Sequence, residues 1–124
     1  MSPAAAIEEA YATHLRGAVT LPVFAGLYSA DLPQHNSFVV ASCEECQHVA
    51  GAYYRGSLSI ILRTHALDQN AAAHSENWAL VSAALDSAPA DPLIRGQFRS
   101  EVSQDRDEHY WVTTESIVVG FVAA

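Results

Sequence analysis

The chain has 124 residues and a formal net charge of −8, and half of its residues are apolar. That length sets a single domain, 1–124, and that apolar share supplies a core, which excludes a disordered chain. The acidic balance argues against a sequence-independent grip on nucleic acid, because such binding needs cations to neutralise phosphates.

All six cations are arginine (Arg16, Arg55, Arg63, Arg95, Arg99 and Arg106), and there is no lysine. Arginine forks suit partly buried or interfacial pairing with carboxylates. A high-GC coding bias, with its many alanines, explains the same absence. No run reaches the roughly 18 apolar residues that span a bilayer. The first residues, MSPAAAIEEAY, have neither the basic start nor the apolar stretch of a signal peptide. Two cysteines do not make a secreted disulfide framework. No membrane association is expected, and the chain reads as made in the cytoplasm.

Ser2 as N-cap and Pro3 at the first helical position predict a helix over Pro3 to Arg16. Ile7, Tyr11 and Leu15 give it one apolar stripe, and Gly17 stops it. Val23 to Tyr28 reads as a strand near an edge or with a bulge, because Gly26 interrupts it and Pro33 closes the segment. Ser37 to Ser42 is β-branched and aromatic, hence a second strand. CEECQHVAGAYYRG either extends that strand or turns at Gly51 into the next, which starts by Ser57.

From Ser57 the run SLSIILRTHAL alternates, and DQNAAAHSENWALVSAALDS then switches to helical spacing, with Asn70 as candidate cap. His74, Trp78, Val81 and Leu85 share one stripe, and SAPADP stops the helix with two prolines. Gly96 to Val102 predicts a short strand, followed by a polar turn at Gln104 to Glu108. His109 to Val122 predicts a long last strand in which Gly120 marks a bulge. The expected fold is α+β: an antiparallel or mixed sheet with an N-terminal and a central helix packed on one face. Leu58, Ile60 and Leu62 are expected on the covered face, beneath Trp78, Val81 and Leu85.

The sharpest chemical signal is Cys43-Glu44-Glu45-Cys46-Gln47-His48. Two thiolates two residues apart can grip zinc where the backbone turns, and His48 is a third candidate ligand. A structural site needs four ligands, and no second cysteine pair exists. A spacing of three in a strand also puts the sulfurs on opposite faces, so two plain thiols are expected. Six histidines lack motif partners, and neither a metalloprotease helix nor a hydrolase elbow occurs. His65 near Asp68, and His109 beside Asp107 and Glu108, are neighbours of the kind chance supplies in an acidic chain. His74, on the apolar stripe, is expected to be packed and hydrogen-bonded. No catalytic residue and no cofactor is assigned. Glu44/Glu45 and Asp105/Asp107/Glu108 are placed in turns. Tyr53, Tyr54, Tyr110 and Trp111 lie beside turns or strand ends, where aromatics serve either core or interface.

The segment Arg55-Gly56-Ser57-Leu58-Ser59-Ile60-Ile61-Leu62-Arg63-Thr64-His65-Ala66 runs into an alanine-rich helix, and a Tyr-Trp-Val strand closes the chain. With the N-terminal helix, this order resembles the tail-terminator or tail-completion proteins of long-tailed bacteriophages. The resemblance covers most of the chain in element order, length and acidity. It implies a structural virion protein and not an enzyme: a homo-hexameric ring at the head-proximal end of the tail. Such a ring ends growth of the tail tube protein and docks the head–tail connector or stopper. DNA would pass its lumen without specific binding, repelled by acidic walls. Glu44, Glu45, Tyr110 and Trp111 are the residues expected at lumen or interface. The Ser57 strand and the last strand are expected to make sheet-to-sheet contacts between subunits. A head–tail stopper or minor tail protein, a small cone-fold α+β enzyme, and a metal- or protein-binding module are the alternatives.

Overall fold

Ser2 opens the first helix by accepting a hydrogen bond from the amide of Ala5 at 3.2 Å. The computed structural model describes residues 2–26, 37–66, 71–106 and 109–123. Helix α1 spans Pro3–Arg16. Strands β1 (Val23–Ala25), β2 (Phe38–Ala50) and β3 (Tyr53–His65) follow, then helix α2 (Ala71–Ala84), then β4 (Ile94–Arg106) and β5 (Tyr110–Val122). The five strands form one mixed sheet in the order β1-β2-β3-β5-β4, and the fold is α+β.

β2 with β3, β3 with β5 and β4 with β5 are antiparallel, so the last strand lies inside the sheet between β3 and β4. Only β1 pairs parallel, with β2 over Val39 to Ala41. Gly51 takes φ +54° between β2 and β3, a conformation that favours glycine, so the run through CEECQHV both extends β2 and turns.

The cross-strand register sorts the faces. Leu58, Ile60 and Leu62 share one face with Ile117, Val119 and Phe121, and with Val39 and Ala41 of β2. Helix α1 lays Ile7, Tyr11 and Leu15 on that face, all fully buried. Helix α2 adds Val81, with Trp78 half-buried and Leu85 buried just beyond its last turn. Each fully buried side chain of this size contributes about 1.5–3 kcal/mol. Both helices therefore lie on one face, as the alternation in β3 and the helical stripes required.

Three expectations change. First, β1 ends at Ala25, because Gly26 turns at φ +87° while its amide bonds the Ala41 carbonyl at 2.8 Å. The rest of the expected strand, to Tyr28, lies outside the described residues, as does Asn70. Second, β4 runs to Arg106 and absorbs the first part of the expected polar turn at Gln104. Pairing with the apolar β5 holds it, so its own polar composition does not end it. Third, Gly120 is in regular register with Arg55, and the irregularity lies opposite, where Arg95 is an extra residue between Ile94 and Gly96. Gly120 instead gives space to a ring: a Cβ there would stand 2.6 Å from the Tyr53 hydroxyl.

Candidate functional site

The covered face is not wholly apolar. Glu115 follows the inward alternation of β5 and is 1% exposed. Arg99 of β4 meets both of its oxygens, donating from Nε to Oε2 at 2.5 Å and from Nη2 to Oε1 at 2.7 Å. The same guanidinium donates to Asp86 Oδ1 at 2.8 Å, to the Ser82 carbonyl at 3.1 Å and to Ser82 Oγ at 2.9 Å. One arginine thus ties β4, β5 and the end of α2. A second link is neutral. The Tyr11 hydroxyl donates to Gln97 Oε1 at 2.6 Å, and Gln97 Nε2 donates to the Leu85 carbonyl at 2.6 Å. Burial pushes the Tyr11 hydroxyl above its ordinary pKa, so it stays a donor. Neither Arg99 nor Glu115 lies in a sequence motif. The available signal was a glutamate in phase with Ile117, Val119 and Phe121.

His74 sits where α2 crosses β3 and β5. Its Nδ1 lies 2.6 Å from Thr64 Oγ1 and its Nε2 lies 2.9 Å from Thr113 Oγ1. A neutral imidazole offers one donor and one acceptor, and two hydroxyls can match both. Burial lowers the pKa of His74. Both ring nitrogens are occupied by the core, which fits the packed role read from the helical stripe.

The cysteines overturn a simple parity argument. Cys43 pairs with Leu58, Glu45 with Ser57 and Cys46 with Gly56, so Glu44 is an extra residue in β2. That bulge adds one step to the alternation and brings Cys43 and Cys46 to the same, covered face. The Cys43 amide, on the side of β2 that β1 leaves open beyond Ala41, donates to Glu8 Oε2 of α1 at 2.8 Å, and the Cys43 Sγ donates to the Glu45 carbonyl at 3.4 Å. Both are free thiols. Burial above all, with the neighbouring Cys46 and Glu8, pushes Cys43 up to about 12. Burial raises Cys46 as well. His48 shares their face, but its Nε2 lies 2.7 Å from the Gly51 carbonyl and its ring lies against Tyr54. Among the described residues no three His, Cys, Asp or Glu side chains converge to hold a metal.

The four residues expected at a lumen or interface fall into two places. Glu44 and Glu45 are exposed within β2, not in a turn, because the bulge lets the strand continue to Ala50. Asp105 likewise lies in β4, while Asp107 and Glu108 are outside the described residues. Tyr110 and Trp111 stand beside His65 and Thr64, at least seven residues further along β3 than Ser57, which is opposite Glu45. Seven strand residues span about 23 Å. Tyr110 and Trp111 also point to opposite faces. On the uncovered face the Arg63 guanidinium stands 3.5 Å over the Tyr110 ring, and on the covered face Arg106 stands 4.6 Å over Trp111. Both rings are half-buried, so part of their surface is occupied within the chain.

A groove of about 630 Å³ runs between α1 and the segment before β4, lined by Ala6, Ala10, Glu9, His14, Pro92 and Leu93 among others. Its polar groups serve the fold. His14 Nε2 lies 2.7 Å from the Ala84 carbonyl, and Glu9 pairs with Arg16 at 3.1 Å.

The sheet edges remain. The Ser57 strand and the last strand, expected to join subunits, are β3 and β5, and each has a neighbour on both sides. Only their faces are available. Among the described residues, the edges without a partner strand are the outer side of β1, the part of β2 beyond Ala41 and the whole outer side of β4. No described helix is long and apolar enough to cross a membrane. No protein-family model matches the chain, and no curated protein matches its sequence.

Proposed function

We propose that this chain is a structural protein of a long-tailed bacteriophage virion, forming a homo-hexameric ring at the head-proximal end of the tail. In this role it ends growth of the tail tube and offers a docking face to the head–tail connector. One observation carries the reading. The two segments on which the resemblance rests, Arg55 to Ala66 and Tyr110-Trp111-Val112, are hydrogen-bonded neighbours at the centre of the sheet, pairing Arg63 with Val112, Thr64 with Trp111 and His65 with Tyr110. The alanine-rich helix between them packs on that same sheet through Val81 and Leu85. The segments therefore form one scaffold, and the surfaces around it are left for assembly.

The role needs contacts between chains, and no bond making or breaking. A ring is a head-to-tail assembly whose rotation happens to close. Exposed carboxylates such as Glu44 and Glu45 suit a wall past which DNA moves, since they repel phosphate. Native mass spectrometry and electron microscopy, with and without tail tubes, test the reading. The expected particle has six times the 13.3 kDa chain mass and sits on one tube end. A chain that forms no six-fold particle, alone or on tubes, overturns it.

A further inference from the structure

Strand β4 exposes two large apolar side chains, Phe98 at 68% and Val102 at 49%. Its backbone pairs with β5 along one edge and with nothing along the other among the described residues. A long open edge is a template for another strand unless proline, charged side chains or bulges blunt it. Ile94–Arg106 has no proline and no lysine; it has two bulges and several charges, so a partner strand must match them.

We propose that a second copy of this chain covers this edge, β4 against β4, antiparallel about a two-fold axis through Phe98. The register follows from faces and bulges. In the ladder with β5, Arg95 and Ser100 are the extra residues, and Ile94, Gln97, Arg99 and Val102 keep to the covered face while Gly96, Phe98 and Glu101 keep to the other. A bulge in one strand alone would flip every side chain beyond it to the wrong face. With Phe98 opposite Phe98 of the copy, Arg99 faces Gln97, and the pair Ser100-Glu101 faces the pair Gly96-Arg95. Each bulge then meets the other strand's bulge and the slip cancels. Val102 returns opposite Ile94 on the covered face.

That register gives Phe98, Val102, Arg95 and Glu101 a complement each. Phe98 meets its own counterpart on the uncovered face, and aromatic cross-strand pairs are favourable. Val102 gains the apolar Ile94. Arg95, which is exposed, stands opposite the exposed Glu101, and the two-fold axis makes that ion pair twice. The interface needs only Ile94 to Val102 of each copy, so it is small and its dimer is concentration-dependent. It is isologous, unlike the head-to-tail contact of a ring, and it stands whether or not the ring reading does.

Sedimentation across a concentration series tests it with the full chain. The expected species is a dimer of twice 13.3 kDa. Arg95→Glu or Glu101→Arg alone should weaken it about tenfold, and the double reversal should restore it. Both substituted side chains are exposed, and circular dichroism checks that each variant folds. Phe98→Cys, oxidised, should give a dimer linked through residue 98 itself, since a residue on a two-fold axis meets only its counterpart. A wild-type chain that stays monomeric overturns the proposal, as does a dimer indifferent to both reversals or linked through another strand. A six-fold ring untouched by the reversals also overturns it and leaves the ring reading standing. The expected dimer with no six-fold particle supports it and removes the ring.

Discussion

Arg99 holds both carboxylate oxygens of Glu115 while Glu115 is sealed from solvent, 1% exposed, on the covered face of the sheet. The arginine reaches that position from the edge strand, with its own side chain 26% exposed. The pair therefore joins the most open strand of the molecule to its core.

Breaking this pair from the arginine side should be costly. In Arg99→Leu the Glu115 carboxylate loses its counter-charge while staying buried, which destabilises by about 3–5 kcal/mol. Replacing both residues by leucine should recover most of the loss, because the desolvated charge goes too. Urea unfolding of the two variants decides the matter. A single variant as stable as the wild type would show that water reaches Glu115.

His74 makes stability depend on pH. Its folded-state pKa is below the ordinary value of 6.5, so between the two values the unfolded chain binds more protons. Its contribution is complete above pH 6.5 and is lost as the pH falls from there toward the folded-state pKa. His74→Gln retains hydrogen-bonding capacity without the titration. Thermal melts of that variant should fall less between pH 7 and pH 5 than those of the wild type, and equal slopes would refute the assignment.

What the sequence revealed and concealed follows from period and partner. Helix α1 was legible to its last residue because Ser2, Pro3, the Ile7-Tyr11-Leu15 stripe and Gly17 agree. The α2 stripe and the inward face of β3 were legible for the same reason. Concealed were features set by partners distant in sequence. The Glu44 bulge, one extra residue against β3, reversed the expected faces of the two cysteines, and Glu8, 35 positions away, holds the Cys43 amide. The length of β4 comes from β5, and so does the burial of Glu115. The interior placement of β5 is a pairing choice that no local pattern encodes, and it leaves β4 as an open edge.

Gly56 marks how closely α1 approaches the sheet. A Cβ there would lie 2.8 Å from Ile7 Cδ1 and 3.1 Å from Cys43 Sγ. Gly56→Ala should therefore overpack the core and cost about 1–3 kcal/mol. Ile7→Val removes the colliding methyl and typically costs about 0.5–1.5 kcal/mol alone. The double variant should be more stable than the sum of the two losses predicts. Additive losses in a chemical-denaturation cycle would show that Ile7 has another rotamer free to it.

The two cysteines should differ in reactivity although they now share a face. Cys43 is 8% exposed, its thiol is pushed up to about 12, and its sulfur already donates to the Glu45 carbonyl. Thiolate is the reactive form, and at pH 8 a thiol of that pKa supplies about one part in ten thousand of it. Cys46 is only partly buried, so a maleimide can reach it, though its raised pKa slows the reaction. Mass spectrometry of the native chain after brief labelling at pH 8 should find one adduct, on Cys46, and two adducts in urea. Glu8→Gln removes one of the charges that hold the Cys43 thiol protonated, but it leaves the burial that dominates. It should therefore leave native Cys43 unlabelled. Fast labelling of Cys43 in the native wild type would mean that α1 lifts from the bulge, since only that motion uncovers both the sulfur and the amide that Glu8 holds.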